Sequence, residues 1–384
     1  MVKDTRRLRV ILAGLIILVI LVSLTAYLST WKPSINKQGL VVEEQSPEVS
    51  GRILIYVNNR LAYSGQVHSF LKPVPTFLAL GLFPTSGFQG AGVNFYSENT
   101  STWQSINPTT VNTDIYYGGR LSLVSVWGTY DNIAPLLLVY DTKGNKWAEI
   151  SLSPTPSIVS NSTGVVLTIS GSITPSLSSA TNVSMIRLVR PAMPTTYKYF
   201  AVRFAEDTLS TPVTVNPGDS LTIVYQFYFK SSQLFTMNWA NITFAWLYNV
   251  PGAKIPVKTI DGSTDYIDPF SPSPSSSPAN NVPVDTFIVV GNGQASFSRT
   301  AYKVVSEVTR AEPSVQAYGG GVSLSYAFIF SQDTTITELA VYSKLTDGKY
   351  VMLLYYVLPQ PVTVKAGTPF SVTFYINLPY QDRV

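Results

Sequence analysis

The single histidine of the chain, His68, stands between Val67 and Ser69 and is the one side chain whose ordinary pKa suits proton exchange near neutrality. A zinc centre needs several nitrogen or sulfur ligands, and this sequence offers no cysteine and no second imidazole to share an ion with it. A Ser-His-Asp triad would have to use His68, yet no glycine-flanked nucleophile elbow accompanies it, so a hydrogen-bonded structural role is expected. Asp261, Asp265 and Asp268 could present oxygens to calcium, but Asp-Gly-Ser-Thr-Asp-Tyr-Ile-Asp lacks the EF-hand spacing and reads as a solvated loop. Gly319-Gly320-Gly321 is followed by neither the lysine nor the helix start of a phosphate loop. No pair of carboxylates suggests glycoside hydrolysis. The expectation is a chain that is not an enzyme and carries no catalytic residue, cofactor or metal.

Composition points the same way. Charged residues make up 12% of the 384 residues, about half the usual share, and the net charge of +4 owes much to Lys3, Arg6, Arg7 and Arg9. No basic stripe remains for nucleic acid. Solubility rests on hydroxyls and amides, and on sugar wherever the sequons at Asn99, Asn161, Asn182 and Asn241 are used. Without cysteine there is no disulfide framework, so stability must come from packing and β-ladders. Few carboxylates and one imidazole leave little to lose in acid, which would suit a hot acidic habitat.

The elements begin with an apolar segment. Val10 to Leu28 is nineteen residues without a charge, long enough as a helix to span roughly 28 Å of hydrocarbon. The basic residues before it place the N-terminus inside, and Tyr27 and Trp31 suit the far interface. A cleaved secretory signal is the competing reading. The length of the run and the poor cleavage site at Tyr27-Leu28-Ser29-Thr30 favour a retained anchor, and either reading puts the body outside.

Beyond it the expected division is a basic segment 1–9, a transmembrane helix 10–28, a stalk 29–50, a membrane-proximal β-sandwich 51–267 with an N-terminal hairpin, a Pro/Ser-rich linker 268–284 and a distal β-sandwich 285–384. Asn58-Asn59 between Ile53–Val57 and Arg60–Tyr63 predicts a two-residue hairpin turn. Phe70 to Phe83, interrupted by Pro73, Pro75 and Gly81, reads as a short helical or irregular plug. Arg120 to Trp127 alternates apolar and polar as a half-buried strand does. Leu136–Tyr140 and Lys146–Ile150 flank a hairpin loop, and no amphipathic helical period is evident past residue 84.

An internal repeat crosses the linker. Leu209 to Tyr225 aligns without gaps to Leu358 to Phe374, sharing the leucine, a Pro-Val-Thr-Val core and a glycine. The spacing predicts strand, tight turn at Gly218 or Gly367, then a strand with Leu221, Ile223, Tyr225 and Phe227, or Phe370, Val372, Phe374 and Ile376, on one face. Upstream, Gly164–Ile169 matches Gly321–Tyr326 and Val183–Leu188 matches Ile336–Val341, in the same order. Two copies of one antiparallel sandwich follow.

In the second copy Ile-Val-Val-Gly-Asn-Gly (288–293), Thr-Glu-Leu-Ala-Val-Tyr (337–342) and Leu-Pro-Gln-Pro-Val-Thr-Val-Lys-Ala-Gly (358–367) resemble jelly-roll-like β-sandwich modules of turret, spike and tail-fibre-like structural proteins of phages and thermophilic archaeal viruses. The resemblance covers about 285–380 best, and implies a virion or surface-appendage component. The apolar N-terminal segment departs from tail fibres and fits a spike or turret planted in a membrane. The expected partners are lipid through the N-terminal helix, further copies or other structural subunits, and a host-surface glycan or receptor that the abundant tyrosines could contact.

Overall fold

The structure is a computed structural model that describes residues 39–42, 48–66, 70–71, 83, 93–97, 102–106, 116–117, 120–121, 136–152, 157–161, 163–195, 198–230, 233–248, 255–267, 281, 283–318, 321–377 and 380–381. The chain divides into two units, Met1–Gly39 and Leu40–Val384, and every described residue except Gly39 belongs to the second. The expected anchor, with Val10, Tyr27, Leu28 and Trp31, lies outside the described residues. Among the described residues no helix is long and apolar enough to cross a membrane.

The fold is all-β. Before the first copy of the repeat come β1 (Gly39–Val42), β2 (Glu48–Val57), β3 (Arg60–Gln66), β4 (Phe70–Leu71), β5 (Val93–Ser97), β6 (Thr102–Ile106), β7 (Tyr116–Tyr117) and β8 (Arg120–Leu121). The first copy is β9 (Leu136–Tyr140), β10 (Lys146–Ser151), β11 (Ser157–Asn161), β12 (Gly164–Ile173), β13 (Thr181–Thr195), β14 (Lys198–Val215) and β15 (Leu221–Lys230). A helix, α1 (Met237–Tyr248), and a hairpin of β16 (Ile255–Lys258) and β17 (Thr264–Ile267) connect it to the second. That copy is β18 (Pro283–Gly291), β19 (Glu307–Ala311), β20 (Ser314–Tyr318), β21 (Gly321–Ile329), β22 (Thr334–Leu345), β23 (Tyr350–Val364) and β24 (Pro369–Asn377), and β25 (Tyr380–Gln381) follows it.

The two copies have one topology. Strands pair in the order β10-β9-β13-β14 and β11-β12-β15 in the first, and β19-β18-β22-β23 and β20-β21-β24 in the second. Even an irregularity is repeated. Val183 faces Val213 and Met185 faces Thr208, while Ile336 faces Val362 and Glu338 faces Val357. In both, four residues of the long strand stand opposite one of its neighbour, and they are Leu209-Ser210-Thr211-Pro212 and Leu358-Pro359-Gln360-Pro361. A proline cannot donate to a ladder and is tolerated where a bulge interrupts it. The Leu and Pro shared by the repeat are thus the residues of the bulge.

The turns that follow are also equivalent. Asp219 N–H donates to the Asn216 carbonyl and Thr368 N–H to the Lys365 carbonyl, at 3.1 and 3.0 Å, with Gly218 and Gly367 at φ of 86° and 73°. That left-handed backbone at the third turn position favours glycine. Alternation then buries Leu221, Ile223, Tyr225 and Phe227, and likewise Phe370, Val372, Phe374 and Ile376. Asn58 and Asn59, at φ of 50° and 62°, form the two-residue turn between β2 and β3.

Segments outside the copies knit them together. β2 pairs with β15 along ten residues and meets β24 in parallel through Glu48 and Asn377, so both three-stranded sheets become parts of one nine-stranded sheet. β1 also pairs with β24, while β25 runs parallel to β4 beside β14 of the first copy. A single hydrophobic core runs through both copies. Both β1 and the start of β2 fall within residues 29–50, expected to be a stalk. The polar average of that segment concealed the short β-forming run Gly39-Leu40-Val41-Val42. Of the expected linker 268–284, residues 268–280 and 282 lie outside the described residues, and β18 already begins at Pro283.

Helix α1 is a departure from the sequence reading. Thr236 caps it, its hydroxyl accepting the Trp239 N–H at 3.1 Å. Asn238 exchanges hydrogen bonds with the backbone of Lys258, and Asn241 donates to the Pro256 carbonyl at 2.7 Å. Of residues 237–243 only Met237 and Asn241 are half-exposed, and Trp239 stacks on buried Phe83 at 5.6 Å. A stretch buried on nearly all sides, as 237–243 is, has no apolar stripe for a 3.6-residue period to reveal.

Two glycine substitutions separate backbone conformation from steric contact. Added at Gly218, a Cβ would touch nothing within 4 Å, whereas at Gly164 it would lie 2.2 Å from the Phe229 carbonyl oxygen. Denaturant unfolding is therefore expected to show G218A destabilising by about 1 kcal/mol and G164A by at least ~2–3 kcal/mol. Equal costs would contradict this.

Candidate functional site

A dense polar constellation is centred on Glu338, which lies within the Thr-Glu-Leu-Ala-Val-Tyr stretch (337–342) and is wholly buried. Its Oε1 accepts the N–H groups of Ser306 and Gly293 at 3.1 and 3.2 Å, and its Oε2 accepts the Val305 N–H at 3.0 Å and the Tyr355 hydroxyl at 2.8 Å. Nearby, the Tyr342 hydroxyl accepts the Val304 N–H at 2.7 Å, and the Thr337 hydroxyl donates to the Gly293 carbonyl at 2.7 Å. The backbone N–H donors belong to one loop, residues 292–306, which stands where the first copy has the five-residue turn Asp141–Asn145.

The glycines of Ile-Val-Val-Gly-Asn-Gly make room for this carboxylate. Added at Gly291, a Cβ would lie 2.6 Å from Glu338 Cγ, and at Gly293 it would meet Val305 at 2.5 Å and Glu338 Oε1 at 2.9 Å. The motifs at 288–293 and 337–342 thus meet in space, with Gly291 opposite Glu338 across β18 and β22. The far part of the loop is fixed by Arg299, whose Nη1 donates to the Phe235 carbonyl at 3.0 Å and whose own carbonyl accepts the Met237 N–H at 2.8 Å.

A carboxylate beside two phenols is a familiar set for proton transfer, but geometry directs this one elsewhere. Glu338 has no exposed surface, and its four hydrogen bonds occupy both oxygens. Burial pushes both phenols well above their usual range, with the nearby Glu338 acting further on Tyr355, so neither gives up a proton near neutrality. The arrangement clamps a loop across the outer face of the four-stranded sheet, over Val289, Ala340, Tyr342 and Tyr355.

The first copy lacks the clamp. Met185 occupies the position of Glu338 and Glu206 that of Tyr355. There Arg187 Nε donates to Glu206 at 2.7 Å and its Nη1 to the Tyr140 hydroxyl at 2.8 Å. Inside the core, the Tyr225 hydroxyl donates to buried Asp207 at 3.0 Å, and burial followed by that carboxylate raises the phenol's pKa well above its usual range. Phe374 stands where Tyr225 does, so the two copies share their apolar positions and differ in their polar networks.

His68, Asn99, Asp268, Gly319 and Gly320 lie outside the described residues. The carboxylate of Asp261 folds back on its own loop, accepting the Thr259 and Ser263 hydroxyls at 2.5 and 2.7 Å and the Ser263 N–H at 2.8 Å. Asp265 pairs with Lys349 at 2.6 Å. Among the described residues no group of three or more acidic, histidine or cysteine side chains could hold a metal ion. Asn161 ends β11 and Asn182 lies near the start of β13, where its Oδ1 accepts the Thr214 hydroxyl. Asn241 sits in α1 with its Nδ2 engaged at Pro256.

Comparison adds no relative to this picture. No protein-family profile, no curated protein and no solved structure matches the chain.

Among the described residues, four carboxylates at turns have lowered pKa values. The Asn145 N–H lowers the pKa of Asp141, and the Asn216 N–H with the Asn58 amide lowers that of Asp219. Lys365 and the Ala366 N–H lower that of Asp333, and the Thr259 hydroxyl with the Ser263 N–H brings Asp261 to about 2. Asn58 also bonds Asp219 at 2.6 Å and the Ser220 N–H at 2.9 Å, tying the β2–β3 turn to the β14–β15 turn.

Two outcomes are expected. Replacing Glu338 by Gln puts an NH2 among donors, so E338Q should cost about 2–4 kcal/mol and open residues 292–306 to limited proteolysis. Wild-type protection of that loop would contradict the clamp. The turn carboxylates have folded pKa values below the unfolded 3.8. Their stabilisation is complete above that value and is lost only as pH falls through the folded values. Calorimetric Tm should therefore hold from pH 7 to about 4 and drop below it, Asp261 titrating last. A marked loss between pH 7 and 5 would contradict this.

Proposed function

We propose that this chain is a membrane-anchored, non-catalytic structural protein of an exterior assembly, in the first place a virion spike, turret or envelope-associated capsid component of a thermophilic archaeal virus. The observation that carries the reading is the union of an uncharged nineteen-residue segment behind a basic N-terminus with a duplicated, cysteine-free β-sandwich body. The positive residues before the segment hold the N-terminus inside, and the body is the part displayed.

Three features support it. The polar residues with chemical potential, Glu338, Tyr342, Arg187 and Asp207, are engaged in holding loops and strands. The equivalent positions of the two copies preserve packing while their polar side chains change, as expected when shape is what both copies supply. Turn carboxylates with lowered pKa values fit a body that works in acid. An archaeal S-layer stalk or filament subunit would share the anchor and the sandwiches, and a receptor- or glycan-binding adhesin would share the exposed position.

Electron cryo-microscopy of purified virions and of cell envelopes from the source, with mass spectrometry of the same fractions, separates these. The expected result is this chain in virions, its N-terminal segment in a membrane and its sandwiches projecting outward. Recovery from cell envelopes alone would replace the viral assignment with the cellular one, and recovery from the soluble cytoplasm would overturn the membrane-anchored reading.

A further inference from the structure

The nine-stranded sheet has two end strands, β11 and β20, and they are equivalent strands of the two copies. Each has a strand partner on one side only among the described residues. Ser157-Ile158-Val159-Ser160-Asn161 and Ser314-Val315-Gln316-Ala317-Tyr318 contain no charge, no proline and no glycine. Both ladders run through five consecutive pairs without a bulge. Such unbulged, uncharged edges invite another strand.

The corresponding ends of the other sheets are built differently. β10 carries the ion-paired Lys146 and Glu149 with a bulge beside them, and β19 carries the ion pair Glu307–Arg310 at 2.6 Å with a bulge at Val290 and Gly291. The outer edge of β23 is taken by the chain itself: Tyr355 N–H donates to the Leu234 carbonyl at 2.8 Å and Ile260 N–H to the Tyr350 carbonyl at 2.9 Å. Charge, irregularity and cover are the devices that stop strand addition, and among the described residues β11 and β20 have none of them.

Their directions are complementary. Along the sheet, β11, β12, β15 and β2 alternate, β24 runs parallel to β2, and β21 and β20 alternate again. β11 and β20 therefore run in opposite senses. Placing the β20 edge of one molecule against the β11 edge of the next, with the same face inward, makes an antiparallel pair. Ile158 and Val315 then fall on the inner apolar side, and exposed Val159 and Gln316 on the outer side.

The geometry points to β11 and β20 as a complementary pair of docking edges for further copies of this chain, joined head to tail into one continuous sheet. The contact is heterologous, so it propagates as a filament or closes as a ring. It rests on the reading of this chain as an assembling exterior component, and names the surface by which it assembles.

Since the chain has no cysteine, the pairing can be read by engineered disulfides at its two exposed outer positions. Full-length V159C and Q316C chains, each purified in mild detergent, are mixed and oxidised with copper phenanthroline. The mixture should give a two-chain species on a non-reducing denaturing gel, neither variant alone should do so, and V159C/Q316C should give a ladder of multiples or one closed multiple. No linked species in the mixture or the double variant would overturn the pairing. Linkage of V159C to itself as efficiently as to Q316C would overturn its head-to-tail sense. The purified chain is read here irrespective of where it occurs. Failure of the crosslink with the chain found on virions or envelopes removes the edge pairing alone, and a crosslink with the chain in neither place removes the exterior role alone.

Discussion

A seven-stranded sandwich leaves a row of backbone N–H and C=O groups along the outer side of every terminal strand, and covering those rows organises the rest of this molecule. The outer side of β14 receives β4 and β5, and that of β23 receives Leu234–Thr236 and Thr259–Ile260. The free side of β15 receives all ten residues of β2, and β24 receives β1. Helix α1 belongs to the same scheme. Asn238 and Asn241 bind the backbone of β16, while the residues leading into the helix pair with β23. Cover from outside the repeats is also what fuses the two copies, because β2 pairs with β15 of the first and β24 of the second, and β25, which follows the second copy, pairs with β4 beside β14 of the first.

With no disulfide to close these long loops, position is enforced by side chains that bind backbone. Glu338 collects three N–H groups of one loop, Asp141 two of a hairpin turn, and Thr236 caps a helix while donating to β23. Each is a local constraint worth little alone in water, but Glu338 and Thr236 are buried, where an unmade hydrogen bond costs far more than a made one contributes. Glu338, Asp141, Asp219 and Asp261 are thus charges that fix a turn or a loop. Divergence between the copies follows from this. Apolar positions must match because both copies fill the same kind of interior, whereas Glu338 is useful only to the copy that carries the long loop, and the first copy has Met185 there.

Much of the frame was legible in the sequence because its signals are local. Asn58-Asn59, Gly218 and Gly367 mark turns whose backbone only a few residue types tolerate, period-two alternation located β15 and β24, and the repeat located β12 and β21 beside them. The gapless repeat Leu209–Tyr225 and Leu358–Phe374 proved to encode a bulge as well as a turn, since its leucine and final proline mark the ends of the interruption in both ladders. What escaped was non-local. Nothing in Thr337-Glu338-Leu339 shows that its carboxylate is buried, because the backbone donors lie 32 to 45 residues away. A signal was present in Gly291 and Gly293, whose missing side chains leave the space for it. Helix α1 escaped for the opposite reason, its residues 237–243 being too buried to look amphipathic.

The parallel contact between β2 and β24 has a consequence for shape that neither copy has alone. Had the copies been joined through two antiparallel partners, their outermost strands would run in the same sense, and a translated neighbour would have to pair in parallel, the weaker arrangement for short strands. The single parallel step at Glu48 and Asn377 inverts one copy relative to the other within the plane of the sheet. Equivalent strands then come to lie at opposite ends with opposite polarity, both with apolar residues on the same inner side. Duplication followed by this one connection converts a repeated edge into a complementary pair of edges, and it does so through backbone direction, which substitutions in the surrounding side chains leave unchanged.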